Sequence, residues 1–311
     1  MPMNLQGKRI LVTGGAGFIG SHTIDALLNR GAKVSVIDNL STGQEKNLSK
    51  EVNFYKLNIA SSKVANIFKK EKPEIVYHFA TNVLVPKSTK NPLMDIDSFQ
   101  GAINIFHNSM KNDIQKLVFP SSGFIYGNSS ILPVNESASF QPASPYSIIK
   151  YSLESYLHFY YEAFGLPFVI LRYAAIYGPR QITGAMADYI RKLSQDKQAK
   201  IWGDGSKTRD YVYIDDVVNA NLLALEIRNN HPNPIFNIGS GIETTLNELY
   251  RTSASILHKN SNPIYLPDRP GEQMRYALDS TKAKNELGWE PKVSFSKGLK
   301  KRIEDFKKNS L

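Results

Sequence analysis

The chain has no cysteine. Disulfides, thiolate metal sites and a cysteine nucleophile are therefore excluded. Its six histidines show no metal-ligand spacing, so core or surface roles are expected of them. No apolar run reaches the length that spans a bilayer. Residues 1–7 are short and polar, and the first apolar run reads as a strand. No signal peptide is expected, and the cytoplasm is the expected compartment. No internal repeat, low-complexity tract or linker rich in Pro, Gly and Ser breaks the chain.

What is present fits a soluble globular protein. The 311 residues suffice for one large domain or two lobes. A hydrophobic content of 41% is ordinary for a chain with a real core. The formal net charge is +10. Much of it is lysine spread over expected helices, such as Lys63, Lys69, Lys70 and Lys72, and Lys297, Lys300, Lys301, Arg302, Lys307 and Lys308 near the C-terminus. That pattern reads as a solvated helical face rather than a nucleic-acid surface. No nucleic-acid motif and no basic stretch interleaved with aromatics is found, so no nucleic-acid partner is expected. A basic balance also favours dianionic ligands.

The stretch KRILVTGGAGFIG, residues 8–20, organises the rest. Residues 8–13 read as a buried parallel strand, and residues 21–30 as a helix. Between them Gly14, Gly17 and Gly20 recur at three-residue steps. Glycine lets backbone N–H groups approach a diphosphate, and the helix N-terminus adds partial positive charge. A glycine triplet alone also serves tight packing. Here a second strand, Lys33–Asp38, ends on a carboxylate at about the spacing expected of a group holding a ribose diol. Asp38 repels a 2′-phosphate, which favours NAD over NADP.

Further strands are expected at residues 52–57, 74–80, 115–121 and 167–173, with helices at 61–70 and 92–111. Alternation of this kind implies an α/β fold, a doubly wound parallel sheet of Rossmann type with helices on both faces. Ligands then sit beyond the carboxyl ends of the strands. This rim collects residues 14–20, Asp38, Asn58, residues 80–83, 121–123 and 173–178. Residues 1–178 are expected to form the dinucleotide-binding domain. Residues 179–311 would form most of a smaller substrate lobe, with segments at about 212–240, including 220–227 and 236–239, returning to the sheet.

A second focus is SPYSIIK, residues 144–150. Ser144 suits a helix cap and Pro145 the first helical position. Tyr146 and Lys150 then share one face at i and i+4. A phenol beside an ammonium near a helix N-terminus is expected to have a lowered pKa and to act as a general base. Such a pair is common on any surface helix. Its place after the fifth strand of a dinucleotide fold gives it weight.

Several motifs in order resemble the extended short-chain dehydrogenase/reductase group. They are TGGAGFIG, DNLSTG (38–43), HFA (78–80), Tyr146 with Lys150, LRYAAIYGPRQ (171–181), GDGSKTRDYVYIDDV (203–217) and FNIGSG (236–241). The resemblance runs through nearly the whole chain. Within the group the chain is most similar to NAD-dependent sugar-nucleotide epimerases of UDP-glucose 4-epimerase type. The resemblance implies that Tyr146 takes the sugar 4-hydroxyl proton while C4 gives hydride to tightly held NAD. Lys150 would hold the nicotinamide ribose and depress the Tyr146 pKa, and Ser122 would bond the 4-oxygen and relay the proton. The 4-keto sugar turns over and hydride returns to its other face.

The cofactor contacts implied are Gly14, Gly17, Phe18, Ile19 and Gly20, then Asp38, Asn39, Ser41, Thr42 and Gly43. Asn58, Ile59, Phe79, Ala80, Thr81 and Val83 follow, with Ser121, Tyr146, Lys150, Tyr173 and Ile176. Ser122, Tyr146, Arg209, Arg269 and Tyr276 are the implied substrate contacts. The two arginines would hold the nucleotide diphosphate, which a guanidinium fork suits. Tyr276 matches a pocket-wall position where bulk excludes N-acetyl sugars, which favours UDP-glucose and UDP-galactose. Related 4,6-dehydratases and decarboxylases carry an acid just after the serine or threonine. Here Gly123-Phe124 stands there, which leaves epimerisation.

Four places depart from the family pattern: Ala175 for an asparagine, Asn58 for an aspartate, Thr81-Asn82 for a smaller pair, and Asp97-Ser98 for an asparagine pair. UDP-glucuronate or a UDP-N-acetylhexosamine are alternative 4-epimerase substrates. A non-catalytic dinucleotide sensor is an alternative of another class, against which Ser122, Tyr146 and Lys150 argue. On the helix that Tyr146 opens, Ile149, Leu153, Tyr156, Leu157, Tyr160 and Phe164 suit the sheet. Ile148, Tyr151, Phe159 and Tyr161 are left for a second partner. The family usually dimerises there, so a homodimer is expected. For the cofactor, titration of the protein with both dinucleotides is expected to give tighter binding of NAD than of NADP. The reverse order would contradict the reading of Asp38.

Overall fold

In the computed structural model, which describes residues 3–81, 85–269 and 273–309, the expected alternation is present. The first half runs β1 (Arg9–Thr13), α1 (Phe18–Leu28), β2 (Lys33–Asp38), β3 (Asn53–Lys56), α2 (Val64–Glu71), β4 (Ile75–His78), α3 (Val85–Lys90), α4 (Ile96–Lys111), β5 (Lys116–Ser122), α5 (Pro145–Phe164) and β6 (Phe168–Tyr173). The second half runs β7 (Ala175–Tyr177), α6 (Ala185–Ser194), β8 (Lys200–Trp202), β9 (Thr208–Arg209), β10 (Tyr211–Tyr213), α7 (Ile214–Leu223), β11 (Ile235–Ile238), β12 (Thr244–Thr245), α8 (Leu246–Leu257), β13 (Ile264–Leu266) and α9 (Phe295–Asn309).

Seven strands make the central sheet in the order β11-β6-β5-β4-β1-β2-β3. Every neighbouring pair is parallel. Every strand but the edge strand β3 buries both faces, so these strands read as largely apolar runs. In β1, Ile10 and Val12 join one apolar cluster with Val36, Tyr77, Val118 and Leu171. Leu11 points to the other, with Val76, Leu117, Phe119 and Ile170. The winding reverses between β1 and β4, which start neighbouring loops on opposite faces and leave a crevice at their carboxyl ends.

A third apolar cluster lies mostly in the second half of the chain. Met186, Tyr189, Ile190 and Leu193 of α6 pack with Leu249, Tyr250 and Leu257 of α8 and with Leu299 and Ile303 of α9. Two threads tie it to the sheet. β11 pairs with β6, and α7 packs on α1 and β6. The Trp289 indole donates to the Asp216 carbonyl at 2.8 Å, and the Asp216 carboxylate accepts Lys292 N and Val293 N.

Three expectations need correction. α1 starts at Phe18, because Gly17 is extended and already takes the cap position. Residues 220–227 do not return as a strand: they are helical and cover the sheet, while Ile235–Ile238 enters it. On α5 the apolar division also differs. Leu153, Leu157 and Tyr160 are buried, but Tyr156 and Phe164 are exposed with Ile148, Tyr151 and Phe159. Tyr161 instead packs on the core, its ring edge-on to Phe168 at 5.9 Å.

Candidate active site

The glycine turn is shaped by backbone approach. Gly14 has φ +68°, and a Cβ there would lie 2.6 Å from Ala80 N. A Cβ on Gly20 would collide with the Gly14 carbonyl oxygen. Only glycine lets β1, the β4 end and the start of α1 come this close. The Gly14 N–H is spent on Ile37 O at 2.8 Å. Gly17 caps α1 with no side chain, and Phe18 and Ile19 open its first turn, their rings and branches packed against the third apolar cluster.

Asp38 sits beside this turn, only 7% exposed. Its carboxylate accepts Ala16 N at 3.0 Å and Leu40 N at 2.8 Å. One oxygen is thus fixed to the glycine turn and the other to its own loop, with lone pairs left on each. Gly43 packs on the same spot, 3.0 Å from Asp38 Oδ2 at its Cβ position. Asn39 accepts Ser41 N at 3.0 Å, which shapes the 39–43 turn around Thr42. A cradle that a Cβ would fill, next to a fixed carboxylate, fits a dinucleotide diphosphate and ribose diol.

The remaining rim residues divide by side chain and backbone. Thr13 Oγ1 lies 2.7 Å from His78 Nδ1 and accepts Ala80 N at 3.3 Å, which fixes the β4 end beside Phe79 and Thr81. Asn58 is exposed, and its side-chain oxygen accepts Ala60 N at 2.9 Å. Ile59 packs against Gly101 of α4. Ser121 is buried at the end of β5. Tyr173 reaches the rim only through its backbone, because its phenol is buried and donates to Asn221. Ile176 is half-buried in β7. Val83 and Asn82 lie outside the described residues.

The chemistry collects between β5 and α5. α5 opens with a reciprocal cap: Ser147 N donates to Ser144 Oγ at 3.2 Å and Ser144 N to Ser147 Oγ at 3.1 Å. Pro145 stands at the first position, and Gly165 closes the helix left-handed. This places Tyr146 beside Ser122 at the end of β5, near enough for the Ser122 hydroxyl to act on its phenol. Ser122 Oγ also accepts Phe124 N at 3.3 Å. Lys150, one turn on, is 2% exposed. Its ammonium donates to Pro120 O at 2.7 Å and lies 4.8 Å above the Phe119 ring.

The expected pKa relation is corrected here. Burial pushes the Tyr146 phenol up to about 12; the Ser122 hydroxyl pulls it down and the Asp95 carboxylate adds to the rise. Burial also pulls Lys150 down to about 7. Both groups are driven toward neutrality, because an apolar surround disfavours either charge. His78 beneath them is held neutral, near 3, by burial and the nearby lysine.

The implied substrate residues are not all alike. Arg209 stands over Phe124, 5.7 Å from the ring centroid, and donates to Gln273 O at 3.0 Å. Arg269 lies over the Trp202 ring at 3.9 Å, beside the β8–β13 pair. Tyr276 sits one layer deeper than a pocket wall. It is 2% exposed, stacks on Phe124 at 5.3 Å and donates to Tyr173 O at 3.0 Å. Its hydroxyl leaves no room for a side chain at Gly123. The turn after Ser122 is therefore an apolar stack. Of the departures, Asp97 is exposed, and Ala175 N donates to Asp210 O at 2.8 Å.

Sequence reasoning missed the part played by five residues. Asp95, buried and bonded by Ser88, is the carboxylate that faces Tyr146 from the turn before α4. Thr13 and the neutral His78 are the second pair. Glu154, with its partner Arg172, lies a further turn along the Tyr146–Lys150 face, a spacing legible in the sequence.

Comparison with known proteins adds a family. Residues 10–239 match the NAD-dependent epimerase/dehydratase family. A protein of Methanocaldococcus jannaschii described as a putative UDP-glucose 4-epimerase is 39% identical, covering 97% of this chain and 99% of its own. A crystal structure of UDP-glucose 4-epimerase with UDP-glucose from Thermotoga maritima superposes with a TM-score of 0.94 at 42% identity, covering 97% and 99%. A UDP-N-acetylglucosamine 4-epimerase from Methanobrevibacter ruminantium superposes with a TM-score of 0.90 at 31% identity, covering 98% and 99%.

The depressed Lys150 has a measurable consequence. Its folded pKa, about 7, lies below the unfolded value of 10.5. Between these values the unfolded chain binds more protons, so stability rises with pH there, by up to about 1.4 kcal/mol per pH unit. The increment is full above that window and lost as pH falls to about 7. Urea unfolding of the ligand-free protein between pH 7 and 9 should show a steeper rise for wild type than for Lys150→Met. Equal slopes would contradict the buried ammonium.

Proposed function

The chain belongs to the NAD-dependent epimerase/dehydratase family, and we propose that within it the chain interconverts UDP-glucose and UDP-galactose at C4 through a 4-keto intermediate. The observation that carries this reading is Tyr146 set beside Ser122 one helical turn before the buried Lys150, followed by an apolar turn where an elimination would need an acid. Bound NAD supplies the hydride acceptor and donor at C4.

This chain's own residues handle the proton. Tyr146 takes the proton of the sugar 4-hydroxyl as the C4–H bond breaks, and returns it when the bond re-forms on the other face. Ser122 relays that proton, since its hydroxyl both donates and accepts. Burial alone leaves the phenol too weak an acid to serve as a base near neutral pH. A positive charge beside it is needed, and the Lys150 ammonium provides it. Gly123, Phe124 and Tyr276 offer no acid or base to the neighbouring carbons, so the keto sugar can only be reduced again. Arg209, beside Phe124, is suited to the nucleotide diphosphate, with Arg269 as its more distant partner.

The sugar assignment rests on the likeness to UDP-glucose 4-epimerases over nearly the whole chain, because Tyr276 lies behind Gly123 rather than in a pocket wall. UDP-glucuronate and UDP-N-acetylhexosamines are the rival substrates, the latter because an N-acetyl-type 4-epimerase shares the fold over nearly the whole chain. The reading places the enzyme in the cytoplasm as a homodimer. Ile148, Phe159 and Phe164 of α5 are each at least half exposed, and so are Leu93 just before α4 and Ile96 at its start. An apolar face of that kind, on two adjacent helices, suits a second copy.

Two measurements test these proposals. Proton NMR of the purified protein with UDP-galactose, without added NAD, should show UDP-glucose appearing to near equilibrium, and Tyr146→Phe should slow this by about 100-fold or more. Activity on UDP-N-acetylglucosamine without activity on UDP-galactose would overturn the sugar assignment. Light scattering at micromolar concentration should return a dimer mass; a monomer mass counts against the α5 interface.

A further inference from the structure

Tyr146, Lys150 and Glu154 fall at i, i+4 and i+8 of α5, on one face of the helix. All three lie against β5 and β6. Glu154 is 2% exposed, as is Lys150. Its carboxylate is gripped by a guanidinium fork: Arg172 Nε donates to Oε1 at 3.1 Å and Nη2 to Oε2 at 2.6 Å. Arg172 is oriented in turn. Its Nη1 donates to Tyr126 OH at 2.7 Å, Tyr126 donates to Asn237 Oδ1 at 2.8 Å, and its guanidinium lies over the Phe140 ring at 4.8 Å. A chain of buried contacts therefore runs from β11 to one turn below the lysine.

We propose that Glu154 is the positioning residue for Lys150: held by Arg172 on the same helix face, its carboxylate supplies the negative charge that keeps the lysine an ammonium beside Tyr146. This rests on the epimerase reading and deepens it. Among the described residues Lys150 makes no ion pair, and its ammonium has one hydrogen bond, to Pro120 O. Burial works to discharge it, and Glu154 is the charge that opposes burial. The arginine fork matters for two reasons. It prevents the carboxylate from swinging away, and it satisfies the carboxylate, so that Glu154 acts on the lysine through space and leaves the ammonium's other protons free.

The other groups around this cluster do not supply the same charge. Tyr146 is on α5 itself. β4 presents the neutral His78, and β5 the Phe119 ring and the Pro120 carbonyl. The turn before α4 presents Asp95, which acts on Tyr146. Tyr126 and Glu136 lie behind Arg172, and His158 lies one turn beyond Glu154.

The test is the pH profile of kcat for the NAD-loaded enzyme. Glu154→Gln strands a buried arginine and risks unfolding. The double variant Glu154→Leu/Arg172→Met removes both charges and keeps an apolar fill. With the carboxylate gone, Lys150 loses its proton at lower pH, since Glu154 and not Arg172 is the charge acting on it. The alkaline limb of the bell should fall by about one pH unit, while the acid limb, set by Tyr146 with the ammonium still in place, should not rise to meet it. Glu154→Asp should restore part of the width. A bell of unchanged width with only a lower amplitude would leave Glu154 a packing role and overturn the proposal. Loss of the functional reading is distinguished separately. A wild type inactive on every UDP-sugar would remove the reaction. The onset of the stability rise in the ligand-free protein should still move to lower pH in the double variant, and an unmoved onset would again overturn the role of Glu154.

Discussion

A cation held out of water beside a phenol is the condition on which this site turns. Lys150 is buried and Tyr146 half-buried at the end of β5, and the apolar surround drives each toward its neutral form. Near neutral pH that would leave a phenol that cannot accept a proton. On the proposed mechanism the site works only if positive charge is retained against the desolvation penalty. The same low-dielectric surround makes a retained charge act strongly on its neighbour. Water exclusion thus both endangers the base and, once the ammonium persists, makes it effective.

The fold supplies this environment from ordinary parts. Seven parallel strands end along one rim, and the reversal of winding beside β1 opens the crevice there. Glycines let the backbone of β1, β4 and α1 close in on the diphosphate position. The cap formed by Ser144 and Ser147 fixes where α5 begins, and so fixes Tyr146 to within one helical position of Ser122. Phe119, Pro120 and the Phe124–Tyr276 stack then seal the region. On the proposed mechanism, the absence of an acid from that stack lets the same surround that tunes the base limit the chemistry at the neighbouring carbons.

Much of this was legible in the sequence. The apolar runs, the glycine turn, Asp38 and the capped Tyr146–Lys150 helix are local patterns, and local patterns are written in adjacent residues. The apolar assignment of Tyr156, Tyr161 and Phe164 was not, because helical periodicity fixes a face but not which neighbour covers it. The sign of the Tyr146 shift was missed for a similar reason. The i,i+4 lysine is visible in the sequence, whereas the burial that outweighs it comes from β4, β5 and the turn before α4. Asp95 and Arg172 belong to the same class, brought to the site by tertiary packing. Glu154 differs, since its spacing from Lys150 was in plain view.

The proposal that hydride leaves and returns at one carbon is tested most directly with UDP-galactose carrying deuterium at C4. The NAD-loaded protein would be followed by mass spectrometry and NMR in ordinary water. A 4-keto route through Ser122, Tyr146 and Lys150 predicts that the UDP-glucose formed keeps its deuterium at C4. Replacement of that deuterium by solvent hydrogen would contradict it.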